Sequence, residues 1–321
     1  MTFLAVFTAF AVGFAMKYGG LCTYAATLQI LRGGRFERLL AFFAAAARAA
    51  LVIVPSSWFR PETAMPERTH ARWPPALAGG MLLVPGAHLN RGRVFGTFVQ
   101  LAGGNLTYVA TLFGLVAGAV GGRLWLADPA AIKTGAPLAG TPGPAAFFWL
   151  SVAGLVALLH LLSGGNTPGG RRRAPLPAIL VALVLGVGGG GLFAAIAGWD
   201  FAAVLTRTAY RAIDVAATGP AALAMWSTLA MVAGGIVAAV SPNRFAWQAP
   251  ALMPALASLV GGALMGLGAI VLPGGNDGLL LSGIPALAPH ALIGLAVMLA
   301  TMLALLKLAP NDGGYSIGRR R

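Results

Sequence analysis

The chain carries one glycine scaffold twice, and each copy interrupts a stretch apolar enough to be a membrane-spanning helix. Gly79, Gly80, Gly86, Ala87, Gly92 and Gly96 in GGMLLVPGAHLNRGRVFG fall opposite Gly261, Gly262, Gly268, Ala269, Gly274 and Gly278 in GGALMGLGAIVLPGGNDG, at a constant offset of 182 residues. Duplicated, glycine-broken hydrophobic segments are the pattern in which a membrane protein builds a central site from interrupted helices. The scaffold therefore constrains both the architecture and the place where chemistry is to be sought.

Only 9% of the 321 residues are charged and 58% are hydrophobic, against about 25% charged residues in soluble domains. The fold class that follows is an all-α polytopic membrane protein. Apolar runs long enough to cross about 30 Å of hydrocarbon lie at 1–17, 36–55, 76–91, 105–126, 145–163, 176–197, 219–240, 252–272 and 289–309, about nine transmembrane helices. Four further pieces, 22–32, 93–103, 200–213 and 276–284, are too short to cross and follow spans one, three, six and eight. Irregular backbone at membrane depth survives only where protein buries it or where it lines a wet cavity, so these read as half-helices meeting near the midplane.

Charge sidedness orients the spans. Arg32, Arg35, Arg38, Arg171, Arg172, Arg173, Arg244 and the tail Arg319, Arg320, Arg321 fall on one face of a nine-span scheme. The opposite face mixes Arg60, Arg68, Arg72 and Lys133 with Glu62, Glu67, Asp128, Asp200, Asp214 and Asp277. The positive-inside rule then puts the C-terminus in the cytoplasm and the N-terminus outside, in a bacterial inner membrane. The first apolar run starts at residue 2 with no basic stretch before it, so no cleaved signal is expected.

The Gly/Pro/Arg segment 163–177 divides the chain into a first repeat, 1–162, and a second, 178–309, with a basic tail at 310–321. GFAMKYGGLCTYAA from Gly13 can be laid on GLFAAIAGWDFAAV from Gly191, which sets Cys22 opposite Asp200. Equivalent pieces separated by five spans are inverted, so the expectation is two inverted repeats about a pseudo-two-fold axis in the membrane plane.

KYGGLC near the start, RGRVFGTFVQLAGGN after the third span, GWDF after the sixth and PGGNDGLLLSGIP after the eighth, in this order, resemble the YeeE/YedE family of sulfur-transport membrane proteins. The resemblance covers nearly the whole chain and implies uptake of thiosulfate or a related anion. It also implies a relay of three cysteines, one near the N-terminus and one in each glycine motif. Here only Cys22 remains, and the other two positions are Arg93 and Gly275. A three-cysteine relay is impossible in this chain.

The candidate pathway residues follow from the half-helix starts. Cys22 opens a short helix after Gly19 and Gly20 with Lys17 close by; a helix N-terminus and a nearby cation favour the thiolate, while the bland reading is a small buried hydrophobe. Lys17 reads equally as an interfacial anchor. Arg91 and Arg93 either snorkel to headgroups or gather anions in a vestibule, and Arg93 would hold an oxyanion through paired donors. Gly92, Gly96 and Gly275 let backbone approach a ligand. Asn276 and Asp277 start the segment 276–284 as cap or ion site, and Asp200 starts 200–213. Arg48, inside span two, should face the bundle interior or pair internally.

Metal and enzyme signatures are missing: there is no HExxH, Walker or GxSxG motif, and the four histidines are dispersed. No cofactor is expected. The scattered cations do not make a nucleic-acid surface. The reading is a permease for a small sulfur-containing inorganic anion, passing a central constriction between the repeats. The alternative is a non-transporting membrane module that binds a sulfur species and hands it to a cytoplasmic sulfur-handling protein.

Overall fold

The computed structural model describes residues 2–19, 27, 29–30, 37–59, 69–70, 73–126, 132–133, 142–163, 176–196, 199, 201–213, 221–240, 245–272 and 275–308. The described chain is almost wholly helical. In order it forms α1 (Thr2–Gly19), α2 (Glu37–Phe59), α3 (Trp73–Leu89), the short α4 (Val94–Ala102), a 3-10 turn (Leu106–Tyr108) running into α5 (Val109–Trp125), and α6 (Pro142–Ser163). Then come α7 (Leu176–Leu183), a π-helical turn (Val184–Gly188) and α8 (Gly189–Ala195), which share one apolar run. The remainder is α9 (Phe201–Ile213), α10 (Ala222–Val240), α11 (Leu252–Val271), α12 (Gly275–Gly278) with a second π-helical turn (Leu279–Gly283), and α13 (Pro289–Leu308). A two-residue ribbon pairs β1 (Thr69–His70) with β2 (Ile132–Lys133), antiparallel.

Five of these helices, Thr2–Gly19, Leu106–Trp125, Ala222–Val240, Leu252–Val271 and Pro289–Leu308, are long and apolar enough to cross a membrane. The chain is a multi-pass membrane protein. Each of the nine runs read from the sequence is helical, and so are 93–103 and 200–213 apart from their ends. In 22–32 only residues 27, 29 and 30 are described, so Cys22 lies outside the described residues, as do Asp200, most of the 163–177 linker and the tail 310–321.

Packing explains the glycines. Lipid tails are as apolar as leucine, so helices in a bilayer associate where small residues let backbones come close. On α3 and α11 the contact is reciprocal: a Cβ at Gly86 would fall 2.6 Å from Gly261 O, and one at Gly261 the same 2.6 Å from Gly86 O. One end further along, a Cβ at Gly79 would lie 3.0 Å from Gly268 O, and one at Gly268 3.2 Å from Gly79 O. Residue numbers rise on one helix as they fall on the other, so α3 and α11 are antiparallel. Under the offset of 182, Gly86 against Gly261 becomes Gly268 against Gly79, so each contact is the image of the other.

The second glycine of each pair does a different job, because neighbouring helix residues point about 100° apart. Gly80 faces Gly294 and Val297 on α13, and Gly262 faces Thr111 and Leu115 on α5. Along α5, Gly114 and Gly118 lie against Leu259 and Ala263 of α11, while Gly262 and Gly266 lie against Thr111 and Leu115 of α5. Here numbers rise together, so α5 and α11 are parallel, in the four-residue small-residue spacing that permits close crossings.

The ends of the assembly interleave. α1 packs on α10, with Gly13 against Met231 and Gly234 against Phe10, and the α7–α8 run packs on α2, with Gly186 against Ala45 and Gly190 against Ala49. The short α4 rests on α10 through Phe98 against Gly235, and the Leu279–Gly283 turn rests on α2. α6 also packs on α2, and α9 on α5 and α10.

Candidate functional site

The break between α3 and α4 is built by backbone chemistry. At the end of α3 the Arg91 N–H donates to His88 O at 3.0 Å and the Gly92 N–H donates to Ala87 O at 2.9 Å. That pair of bonds closes a helix through a residue in left-handed conformation. The residue is Arg91, φ 54°, which accepts a strain that glycine would avoid. Its side chain is exposed.

Asn90 fastens this turn. It is 1% exposed, its Nδ2 donates to Gly92 O and to Thr97 Oγ1, both at 2.8 Å, and its Oδ1 accepts from Thr111 Oγ1 at 2.5 Å. Both amide hydrogens and the carbonyl oxygen are used, so a buried polar group that would otherwise be costly ties α3 to α4 and α5. Sequence reasoning missed Asn90 as a site residue. Its signal was available, since the 182-residue offset pairs it with Leu272, a polar residue facing an apolar one in otherwise matched scaffolds.

Arg93 sits at the N-cap of α4 with extended backbone, φ −83° and ψ −174°, and its side chain does not cap the helix. Instead it turns inward. The residue is 3% exposed, and Nη1 donates to Met298 Sδ of α13 at 3.4 Å. Met298 lies one helical turn beyond Gly294, whose position packs on Leu272 at the end of α11. α13 thus touches both glycine breaks on one face, and the guanidinium of the first break points toward the helix that covers the second. Gly92 and Gly96 face one another across the α4 start, a Cβ at Gly92 meeting Gly96 Cα at 3.5 Å.

Lys17 is placed elsewhere. Its Nζ donates to Val99 O at 2.7 Å, a carbonyl in the last turn of α4, where the helix dipole favours a cation. Lys17 therefore serves the far end of a nine-residue helix that starts after Arg93, roughly 13 Å long at 1.5 Å per residue. At the second break Gly275 takes φ 52°, and among the described residues only Ala269 approaches the place of its Cβ, at 4.0 Å. The backbone of Asn276 and Asp277 is helical, as expected, while their side chains lie outside what is described. Among the described residues no three His, Cys, Asp or Glu side chains converge.

The polytopic fold, the doubled glycine break and a buried guanidinium at one of them set the frame for comparison with known proteins. A family model described as sulphur transport matches residues 18–304. The chain belongs to the sulphur transport family. A search of curated proteins finds none that matches. For this sulphur transport protein the family supports a transport role in a membrane, and the matched span runs from Tyr18 through both glycine breaks to within α13.

Proposed function

We propose that the protein is a permease for a small sulfur-containing inorganic anion, thiosulfate-like, which passes between two inverted repeats of a nine-span bundle. The observation that carries the reading is Arg93: a buried arginine, at the start of a half-helix, in a sulphur transport protein. Ionisable groups at membrane depth are costly and by default mark a pathway. A thioether is a weak acceptor, so an oxyanion outcompetes Met298 for the guanidinium and gains paired, charge-assisted bonds. Gly92 and Gly96 leave room for a ligand to approach, and the amides of the first turn of α4 supply backbone donors beside it.

Helix directions support the repeat scheme. Exchanging α3 with α11 reverses the chain direction, and only a two-fold axis perpendicular to both helices does that. Spans three and eight must then run oppositely and spans four and eight together, which is the relation found for α3 and α5 against α11. The repeats run 1–162 and 178–309 about the 163–177 linker. Arg91, Gly275, Asn276, Asp277, Asp200, Cys22 and Lys17 complete the proposed path, with Lys17 acting through α4.

The purified chain in proteoliposomes is expected to take up radiolabelled thiosulfate from a panel of sulfur anions. A small thiol reagent should inhibit, substrate should protect, and Cys22→Ala should remove the inhibition; a fully active Cys22→Ala variant would relegate the thiol to packing. Binding with no flux of any anion on the panel would sink the permease and leave a module that delivers its anion to a cytoplasmic sulfur-handling protein.

Orientation is checked separately. In a Cys22→Ala background, a membrane-impermeant maleimide added to intact cells should mark Ala64→Cys and spare Gly169→Cys. Equal labelling of both would overturn an outside N-terminus and a cytoplasmic C-terminus.

A further inference from the structure

Arg48 is used by nothing described so far. It is the middle residue of α2, eleven positions from Glu37 and eleven from Phe59, which is about 17 Å from either helix end at 1.5 Å per residue. No arginine snorkels that far. The residue is 7% exposed, and its Nε is sealed from solvent with no hydrogen-bond partner. Among the described residues the guanidinium has no ion pair. Among the described residues, Nε is the one of its three nitrogens that is both sealed and unbonded.

The surroundings are built to accept the side chain. A Cβ at Gly186 would fall 2.5 Å from Arg48 Cβ and 2.6 Å from Ala45 O, so glycine alone lets the α7–α8 run lie against this part of α2. Gly186 belongs to the π-helical turn Val184–Gly188, and such turns recur at functional sites because they widen the helix and disturb its bonding. α2 also packs on the Leu279–Gly283 turn, the counterpart of α4 under the 182-residue offset, much as α10 packs on α4. In the first half the half-helix brings its own cation, Arg93. In the second the matching position is Gly275. Arg48 is the buried cation on the helix that packs against that second half-helix.

We infer that Arg48 is a second anion-binding station, for a small inorganic anion of the class held at Arg93. The inference rests on the repeat pairing but concerns equilibrium binding, and holds whether or not the chain moves the anion.

The test uses the full chain in nanodiscs of zwitterionic lipid with radiolabelled thiosulfate as probe. Two anions per chain are expected for the parent. Arg48→Met, unbranched and neutral, should bind one, with at least a tenfold loss at the second station; Arg48→Lys should keep both and weaken one several-fold. A parent that binds no anion overturns the inference without recourse to any variant, and so does a folded Arg48→Met that binds as many anions as the parent. Should Arg48→Met not fold, modification of parental Arg48 by a dicarbonyl reagent decides: thiosulfate should slow it several-fold, and an unchanged rate refutes the station. Two bound anions with no flux would fail the permease reading alone; flux with one bound anion, untouched in Arg48→Met, would fail the station alone.

Discussion

Gly86→Ala and Gly261→Ala are each expected to lower the melting temperature of the purified protein sharply, and Gly86→Val to leave little folded protein at all. Each new Cβ would sit 2.6 Å from the other glycine's carbonyl oxygen, and both sides of the clash are backbone, so no rotamer change relieves it. Overpacking costs typically about 1–3 kcal/mol and sometimes more; a contact that can be relieved only by parting two helices belongs at the top of that range. Because both substitutions push on one spot, the double variant should cost less than the two single costs added together. Gly121→Ala is the control. Among the described residues a Cβ there meets nothing within 4 Å, and alanine is the better helix former by about 1 kcal/mol, so stability should hold or rise. Melting curves of the five variants and the parent read all of this, and a parental melting temperature for Gly86→Ala would mean that α3 and α11 do not cross as described.

Arg93→Gln should weaken apparent affinity for thiosulfate by roughly tenfold or more. A hydrogen bond to a charged group contributes about 1.5–3 kcal/mol, and each 1.4 kcal/mol is about tenfold in affinity. Arg93→Met separates binding from folding. It places a second thioether beside Met298, and a folded Arg93→Met protein, its melting temperature measured alongside, should bind no better than Arg93→Gln. Arg93→Cys, which restores the residue the family resemblance implies, should recover more thiosulfate flux than Arg93→Gln. Parental affinity in both Arg93→Gln and Arg93→Met would assign the arginine to packing and remove the first-half anion site.

Much of the architecture was legible because membrane helices write their lengths in composition. The run drawn at 252–272 is α11, Leu252–Val271, and that at 289–309 is α13, Pro289–Leu308. The doubled glycines were legible for the same reason that they are needed: only glycine fits where Gly86 meets Gly261, so the contact leaves a trace in the letters. Side-chain direction leaves no such trace. Nothing in RGRVFG says that Arg93 turns away from the amides of its own helix to Met298, 205 residues later in the chain, or that Lys17 serves the far end of α4 and not its start. The π-helical turn at Val184–Gly188 was hidden too, because a wider turn and an ordinary one contain the same apolar residues.

The interleaving of the ends bears on how the chain is made. Phe10 and Gly13 find their partners at Gly234 and Met231, more than two hundred residues downstream. At roughly 5–20 residues per second the ribosome needs on the order of ten to forty seconds to supply them. Throughout that interval the small-residue faces of α1 and α3 wait for their partners on α10 and α11, and α2 waits for the α7–α8 run that packs beside Arg48. A polypeptide stopped in the linker would be left holding those faces open. The contacts that tie the first helices to the later ones close only once α10 and α11 have been made.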